Sequence, residues 1–323
     1  MLRYLLRRLA IAVPMLIVAS FAMFMLVSLS GDPLSRFRSM DPPPPESSIR
    51  SMELELGLDR PLPERYVRWL LGVLHGDFGK SVVNVDIGQV LPGRLLISLR
   101  LIVIAIVVAA IVSIAVGVIG AVRQYGLIDN SLSVLVFVGM SLPLFWFAVM
   151  LKQWAISINR SSGRTILYTI GDGSQTGAHG LALLGFLALP TIALAVNIFA
   201  SWSRYVRASM IEVLNTDYMR LARAKGLSRT QAVLRHGLRN ALMPFVTVVA
   251  LEFSSLVGGA VVTESVFQWR GMGDLLLNGI RNLDVHVVMA WLLVFATATI
   301  LLNLLADLVY GLLDPRIRHA RTF

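Results

Sequence analysis

Asp217-Tyr-Met-Arg-Leu-Ala-Arg-Ala-Lys-Gly226 is a polar run in the second half of an otherwise apolar chain. With its continuation to Pro244 it carries Arg220, Arg223, Lys225, Arg229, Arg235 and Arg239. Six cations at that density cannot lie in hydrocarbon. The run has the marks of two short helices. Thr216 or Asp217 can cap the first, and Gly226 can end it in a left-handed turn. Ser228 followed by Gln231 has capping-box spacing and can start the second. Tyr218, Leu221, Ala222 and Lys225 are expected on one face of the first helix. Ala222, Ala224 and Gly226 are small enough to let another surface approach the backbone. A small, partly apolar helix face between membrane spans suits docking into a partner's groove. A basic loop placed by the positive-inside rule is the plainer alternative.

Outward from this run the chain is strongly apolar. Of its 323 residues, 56% are hydrophobic and 15% charged, where a soluble domain holds about 25% charged residues. The chain is therefore read as a membrane protein of the all-α class. Its net charge of +10 does not point to nucleic acid, because the basic residues cluster at the ends of apolar runs. No cysteine is present, which excludes disulfides, thiolate metal sites and cysteine nucleophiles.

Leu9 to Leu29 is a first apolar run of 21 residues, roughly 31 Å as a helix and enough to cross a bilayer core. Ser28-Leu-Ser30 also has the small residues of a signal-peptide cleavage site. The length of the run favours a retained anchor. Residues 31–94 form a long external excursion with a polyproline element at Asp41–Glu46 and amphipathic segments at Glu53–Gly57 and Glu64–Leu74. Five further apolar runs lie near 97–121, 131–156, 182–203, 245–263 and 286–310, making six expected spans. Gly117 and Gly120 allow close helix approach. Pro143 and Pro190 are expected to kink their helices. Arg3, Arg7, Arg8, Arg123, Arg204 and Arg207, the 217–244 cations, Arg316, Arg318 and Arg321 fall in segments that are all cytoplasmic if the N-terminus is inside. The short outer loops hold Arg160, Arg164, Arg270 and Arg281. Both termini and the 204–243 loop are thus expected on the cytoplasmic side. Phe267 and Trp269 suit an interfacial aromatic belt, and 274–280 a short returning helix.

Ionisable groups at membrane depth are expensive and default to functional candidates. Glu252, with Ser254, Ser255 and Gly258, makes a polar stripe on the fifth expected span. It is either a face of a translocation path or half of an interhelical pair with Lys152 or an arginine. Asn197, Thr297 and Asn303 are candidates for hydrogen-bond contacts between helices, with Asn197 also a candidate for the path. Lys152, Arg100 and Asp307 are expected to snorkel from span ends. His75, His179, His236, His286 and His319 have no paired spacing, so no metal site is expected. There is no phosphate-binding GxxxxGK[ST] loop and no GxSxG nucleophile motif. The chain itself is expected to be no enzyme and to bind no cofactor.

Four stretches carry a family resemblance. Arg220-Leu-Ala-Arg-Ala-Lys-Gly226 with Arg235-His-Gly-Leu-Arg-Asn-Ala-Leu-Met-Pro244 resembles the cytoplasmic coupling loop of bacterial ABC-importer permeases, dipeptide/oligopeptide branch. Against the general Glu-Ala-Ala-x3-Gly importer pattern, Arg220 stands in place of Glu and Pro244 lies further from Gly226. Leu56-Gly-Leu-Asp-Arg-Pro-Leu62 with Gly76-Asp-Phe-Gly-Lys-Ser81 resembles that branch's external segment. Gly258 to Gly273, ending Trp269-Arg-Gly-Met-Gly, and the closing Asn303–Asp307 and Asp314–Arg318 resemble its later segments. The resemblance implies a permease half that moves di- or oligopeptides by alternating access. It implies a coupling loop of Tyr218, Leu221, Ala222, Arg223, Ala224, Lys225, Gly226, Arg235, His236 and Arg239, and a path touching Glu252, Ser255 and Asn197. It implies a second permease chain, two ATPase subunits that use ATP and magnesium, an external substrate-binding protein and the bacterial inner membrane. The expected organisation is 1–30 first span, 31–94 external segment, 95–311 permease core and 312–323 cytoplasmic tail. A nickel or small-solute permease shares these features. A proton-coupled carrier would need a relay of buried acids, for which Glu252 is the one candidate.

Overall fold

The computed structural model describes residues 2–178 and 180–313. His179, His319, the Asp314–Arg318 stretch and nearly all of the expected tail lie outside them, as do the side chains of Ser254 and Asp307. Among the described residues every regular element is helical, beside one isolated bridge between Lys80 and Asp86. In chain order these are α1 (Leu2–Leu29), α2 (Ser35–Arg38), α3 (Glu46–Glu55), α4 (Leu62–Leu74), α5 (Ile87–Val122), α6 (Leu127–Ser141), α7 (Leu144–Ser162), α8 (Leu181–Leu214), α9 (Asp217–Ala224) and α10 (Arg229–Ala232). A π-helical turn (Val233–Gly237) leads into α11 (Leu238–Leu251), followed by α12 (Phe253–Phe267), α13 (Met272–Arg281) and α14 (Val285–Leu313).

Four of these are long and apolar enough to cross a membrane: Arg7–Leu29, Ile87–Val122, Ala182–Leu214 and Val285–Leu304. The expected run at 131–156 is instead a pair, α6 and α7, bent by 104°. Leu142 is forced out of the helical region by the following Pro143, as proline demands of its predecessor. Pro190, by contrast, sits inside a continuous α8. The run at 245–263 is divided at Glu252 into α11 and α12, and neither piece reaches spanning length. The helical ladder still brackets the break, with Glu252 N–H on Val248 O at 3.0 Å and Leu256 N–H on Glu252 O at 3.1 Å.

The chain forms two compact units. The first holds residues up to Ser98 with Arg270–Leu301. In it, Phe24, Tyr66, Trp69, Val285 and Met289 build a core, with Leu62, Leu70 and Val73 of α4 packed against it. The Tyr66 hydroxyl donates to Ile17 O at 3.0 Å and meets Ser20 Oγ at 2.7 Å. Buried Asp284 accepts the Val82 N–H at 2.8 Å and the Val287 N–H at 3.2 Å. Arg94 pairs with Asp274 of α13 at 2.9 Å.

The second unit holds Leu99–Trp269 with the residues after Leu301. Its centre is α8, which packs against α6, α7, α11 and α12. Gly117 of α5 sits so close to α8 that an added Cβ would lie 2.7 Å from Val206 Cβ. Only a glycine permits that approach. The expectation of an aromatic belt at Phe267 and Trp269 is corrected, since both are fully buried. Trp269 packs under the Arg100 guanidinium at 5.5 Å, and Arg100 donates to Asp172 O at 3.0 Å. Arg100 is thus tied into protein rather than snorkelling. Lys152 lies in the middle of α7, not at its end, and its ammonium donates to Val266 O at 2.9 Å.

Candidate functional site

The polar run folds as the short helix α9 and, after the Gly226 turn, α10, which continues through the π-helical turn into α11. Thr216 takes the N-cap position of α9, but its hydroxyl donates back to Val213 O at 2.6 Å, and no side chain caps the helix. The C-terminus closes as a Schellman turn. Gly226 has φ +88, its N–H reaches Arg223 O at 3.0 Å, and Leu227 N–H reaches Ala222 O at 3.3 Å. Gly is the residue that adopts this left-handed geometry without strain. Both bonds of the Ser228–Gln231 capping box are present, at 3.3 and 3.1 Å.

The faces differ from expectation. Met219 and Ala222 point inward and pack with Met210, Ala121, Ala232, Val233 and Ala241. Tyr218 and Leu221 point outward, with Leu221 56% exposed. Ala222 therefore faces the rest of the unit and not the outer side of α9. The split follows from helical spacing, since 219 and 222 share one face while 218, 221 and 225 share the next. Arg223, Ala224, Lys225, Gly226, Arg235, His236 and Arg239 are all exposed. Arg229 donates to Val122 O at 2.6 Å and so satisfies a free carbonyl at the end of α5. A cavity of about 540 Å³ opens here, with Arg123, Arg220, Arg223 and Arg229 on its walls.

The second candidate lies between α8 and the α11–α12 break. Asn197, Ser201, Glu252 and Ser255 line one cavity of about 410 Å³. The structure brings together the three path residues read from sequence, and adds Ser201. Among the described residues, Glu252 does not pair with Lys152 or an arginine. Its carboxylate accepts the indole N–H of Trp202. Trp202 is fully buried and set edge-on to Phe245 at 5.4 Å, so the donor is fixed. Asn197 and Ser255 are exposed within apolar helices.

One feature escaped sequence reasoning altogether. Arg207 of α8 makes a two-pronged pair with Asp129 of α6, at 2.8 and 2.7 Å, and Asp129 also accepts the Tyr125 N–H at 3.0 Å. The partners are 78 residues apart, and no local pattern links them.

Residues 113–319 match the family model described as "Binding-protein-dependent transport system inner membrane component". Residues 1–87 match the model for the N-terminal part of such membrane components. The chain is 39% identical over 324 residues to the "Oligopeptide transport system permease protein OppB" of Mycobacterium tuberculosis strain H37Rv, covering 98% of this chain and 99% of that protein. It is 35% identical over 345 residues to the "Dipeptide transport system permease protein DppB" of Escherichia coli K12, covering 99% of this chain and all of that protein. A solved amino acid ABC transporter structure overlaps with a TM-score of 0.44 at 17% identity, over 68% of this chain and 91% of that one.

Proposed function

The chain belongs to the binding-protein-dependent transport system inner membrane component family, and from that premise we propose that it is the permease subunit of an ATP-driven importer of di- and oligopeptides. The relatives named for oligopeptide and dipeptide transport, matched over nearly the full chain, support the substrate class. The observation that carries the mechanism is α9. Its inner face is gripped by the spans through Met219 and Ala222, and its outer face offers Tyr218 and Leu221. A helix held that way transmits a push on its outer side to the helices beneath it.

In this reading the chain crosses the membrane six times, with α6–α7 and α11–α12 each counted as one broken span. Both termini and α9–α10 are cytoplasmic. Residues 31–94 form the external segment, 95–311 the permease core and 312–323 the tail. Two ATPase subunits bind ATP and magnesium and seat α9 and its symmetric counterpart from a second permease chain. An external binding protein delivers the peptide. ATP closes the ATPase pair, the coupling helices move together, and the path turns outward; hydrolysis resets it. Each step requires the partners to bind the two states unequally. The four arginines around the 540 Å³ cavity favour an acidic surface on the ATPase side.

The test is co-purification of the tagged chain in mild detergent with its ATPase, for wild type and for Tyr218→Glu/Leu221→Glu. Wild type is expected to retain an ATPase whose activity rises with loaded binding protein. The double variant is expected to lose that ATPase while keeping its own thermal stability, because both side chains are already outside the core. Recovery of the wild-type chain without any ATPase would overturn the reading. The same substitution at Ala222 would not be informative, since a buried glutamate there disrupts α9 packing directly.

A further inference from the structure

Within the peptide-importer reading, we propose that Glu252 receives the cationic amino terminus of the substrate, with Asn197, Ser201 and Ser255 meeting its first peptide groups. Asn197 lies inside the apolar 182–203 run of α8, roughly 22 Å from its start and roughly 9 Å from its end. Asn197 and Ser255 are therefore exposed on the wall of the cavity they share with Glu252, at a depth within their apolar runs. Exposed amide and hydroxyl groups are disfavoured against lipid tails and mark a water-filled path or a protein neighbour.

A carboxylate at this depth normally draws a cation from its own fold. Here the partner is a neutral indole N–H, and among the described residues no lysine, arginine or histidine pairs with Glu252. Two cations of the same unit are engaged elsewhere. Lys152 donates to Val266 O at 2.9 Å, and Arg204 lies over Phe137 at 5.8 Å. The cavity therefore offers a carboxyl group oriented by a rigid tryptophan, with no cation among the described residues paired to it. The ligand that completes it carries a positive charge beside groups able to hydrogen-bond with an amide and hydroxyls. A primary ammonium one bond from a peptide backbone has that chemistry. Trp202 acts as a positioning residue, holding the carboxylate at the cavity wall.

Two series of variants test this in proteoliposomes with the full complex, ATP and saturating peptide-loaded binding protein. Glu252→Gln keeps an oxygen for the Trp202 N–H and removes the charge. Uptake of peptide with a free amino terminus is expected to fall about tenfold or more, the scale of one hydrogen-bonded charge. Binding-protein-stimulated ATPase activity is expected to persist, and Glu252→Asp to recover part of the uptake. The absence of cysteine from the chain permits the second series. Glu252→Cys modified by a sulfonatoethyl methanethiosulfonate is expected to import faster than the same protein carrying a trimethylammonioethyl group. Wild-type uptake in Glu252→Gln, or equal uptake with the two adducts, overturns the assignment and leaves the peptide reading intact. A wild-type complex that hydrolyses ATP on docking but imports no peptide overturns both.

Discussion

The Asp129–Arg207 pair shows what one residue can contribute in this fold. Asp129 is buried while a third of the Arg207 side chain remains exposed. A two-pronged guanidinium–carboxylate bond fixes both distance and angle, so it sets how α6 lies on α8. Asp129→Ala leaves three N–H donors without their acceptor, two on Arg207 and one at Tyr125. Breaking a buried pair costs about 3–5 kcal/mol, and the partial exposure of Arg207 lowers the expectation here to about 2–3 kcal/mol. Thermal unfolding in detergent should show Asp129→Ala well below wild type, with Asp129→Ala/Arg207→Leu closer to wild type than the single variant. Equal losses in the single and double variants would mean that the pair contributes no orientation. The pair was invisible in the sequence because its members meet through tertiary packing. Gly226 and the Ser228–Gln231 box were legible because their chemistry is completed within a few residues. Ala222 lies between these cases. Its small size was read correctly, but which side of α9 it occupies depends on what α9 packs against.

At the scale of an element, α4 shows what the sequence reading of an amphipathic segment left open. Its inward side chains reach Ile17 O and Ser20. Those residues are roughly 12–17 Å into the apolar run that starts at Leu9, so α4 packs along the flank of α1. Arg65 is half-buried with its guanidinium 5.7 Å from the Phe24 ring, and burial pulls its pKa below the ordinary arginine value. A second flank carries Val67, Leu71 and Leu74, all exposed. The remaining flank carries Glu64 and Arg68, paired at 3.0 Å. An amphipathic helix with an extra apolar flank suits the membrane interface. Single cysteines at Val67 and Leu71 are expected to react about tenfold more slowly with a membrane-impermeant maleimide than one at Glu64. Nitroxides at the same two sites should collide often with oxygen and rarely with a nickel chelate. Ready access for the chelate would return α4 to water, and poor access for both would mean that protein covers it. The periodicity of 64–74 gave the helix and its amphipathic character. It could not divide the apolar arc between protein and surroundings, because that division is set by α1 and α14.

For the whole molecule, the decisive question is how many times the chain crosses the membrane. The apolar runs were legible because spanning hydrocarbon demands length and composition together. The breaks at Pro143 and Glu252 were less so, because a run keeps its composition when its direction changes. A 104° bend between α6 and α7 is compatible with one broken span or with a segment that enters and returns. The two cases put different residues on the same side. With one broken span, Gln124 and Ser161 are on opposite sides, and Thr230 shares the side of Gln124. With a returning segment, Gln124 and Ser161 share a side and Thr230 is opposite. Charge favours the first case: Arg123, Arg204, Arg207, Arg220, Arg223, Lys225 and Arg229 then all fall on one side, against Arg160 and Arg164 on the other, as orientation by cytoplasmic cations requires. All three test positions are exposed. In the cysteine-free chain, a single cysteine at Ser161 should therefore label from outside intact spheroplasts, while cysteines at Gln124 and Thr230 should label only after the membrane is opened. External labelling of Thr230 would place α9 away from ATP and remove the coupling role, whatever the sequence resemblance. Labelling of Ser161 alone keeps α9 on the side where an ATPase can drive it.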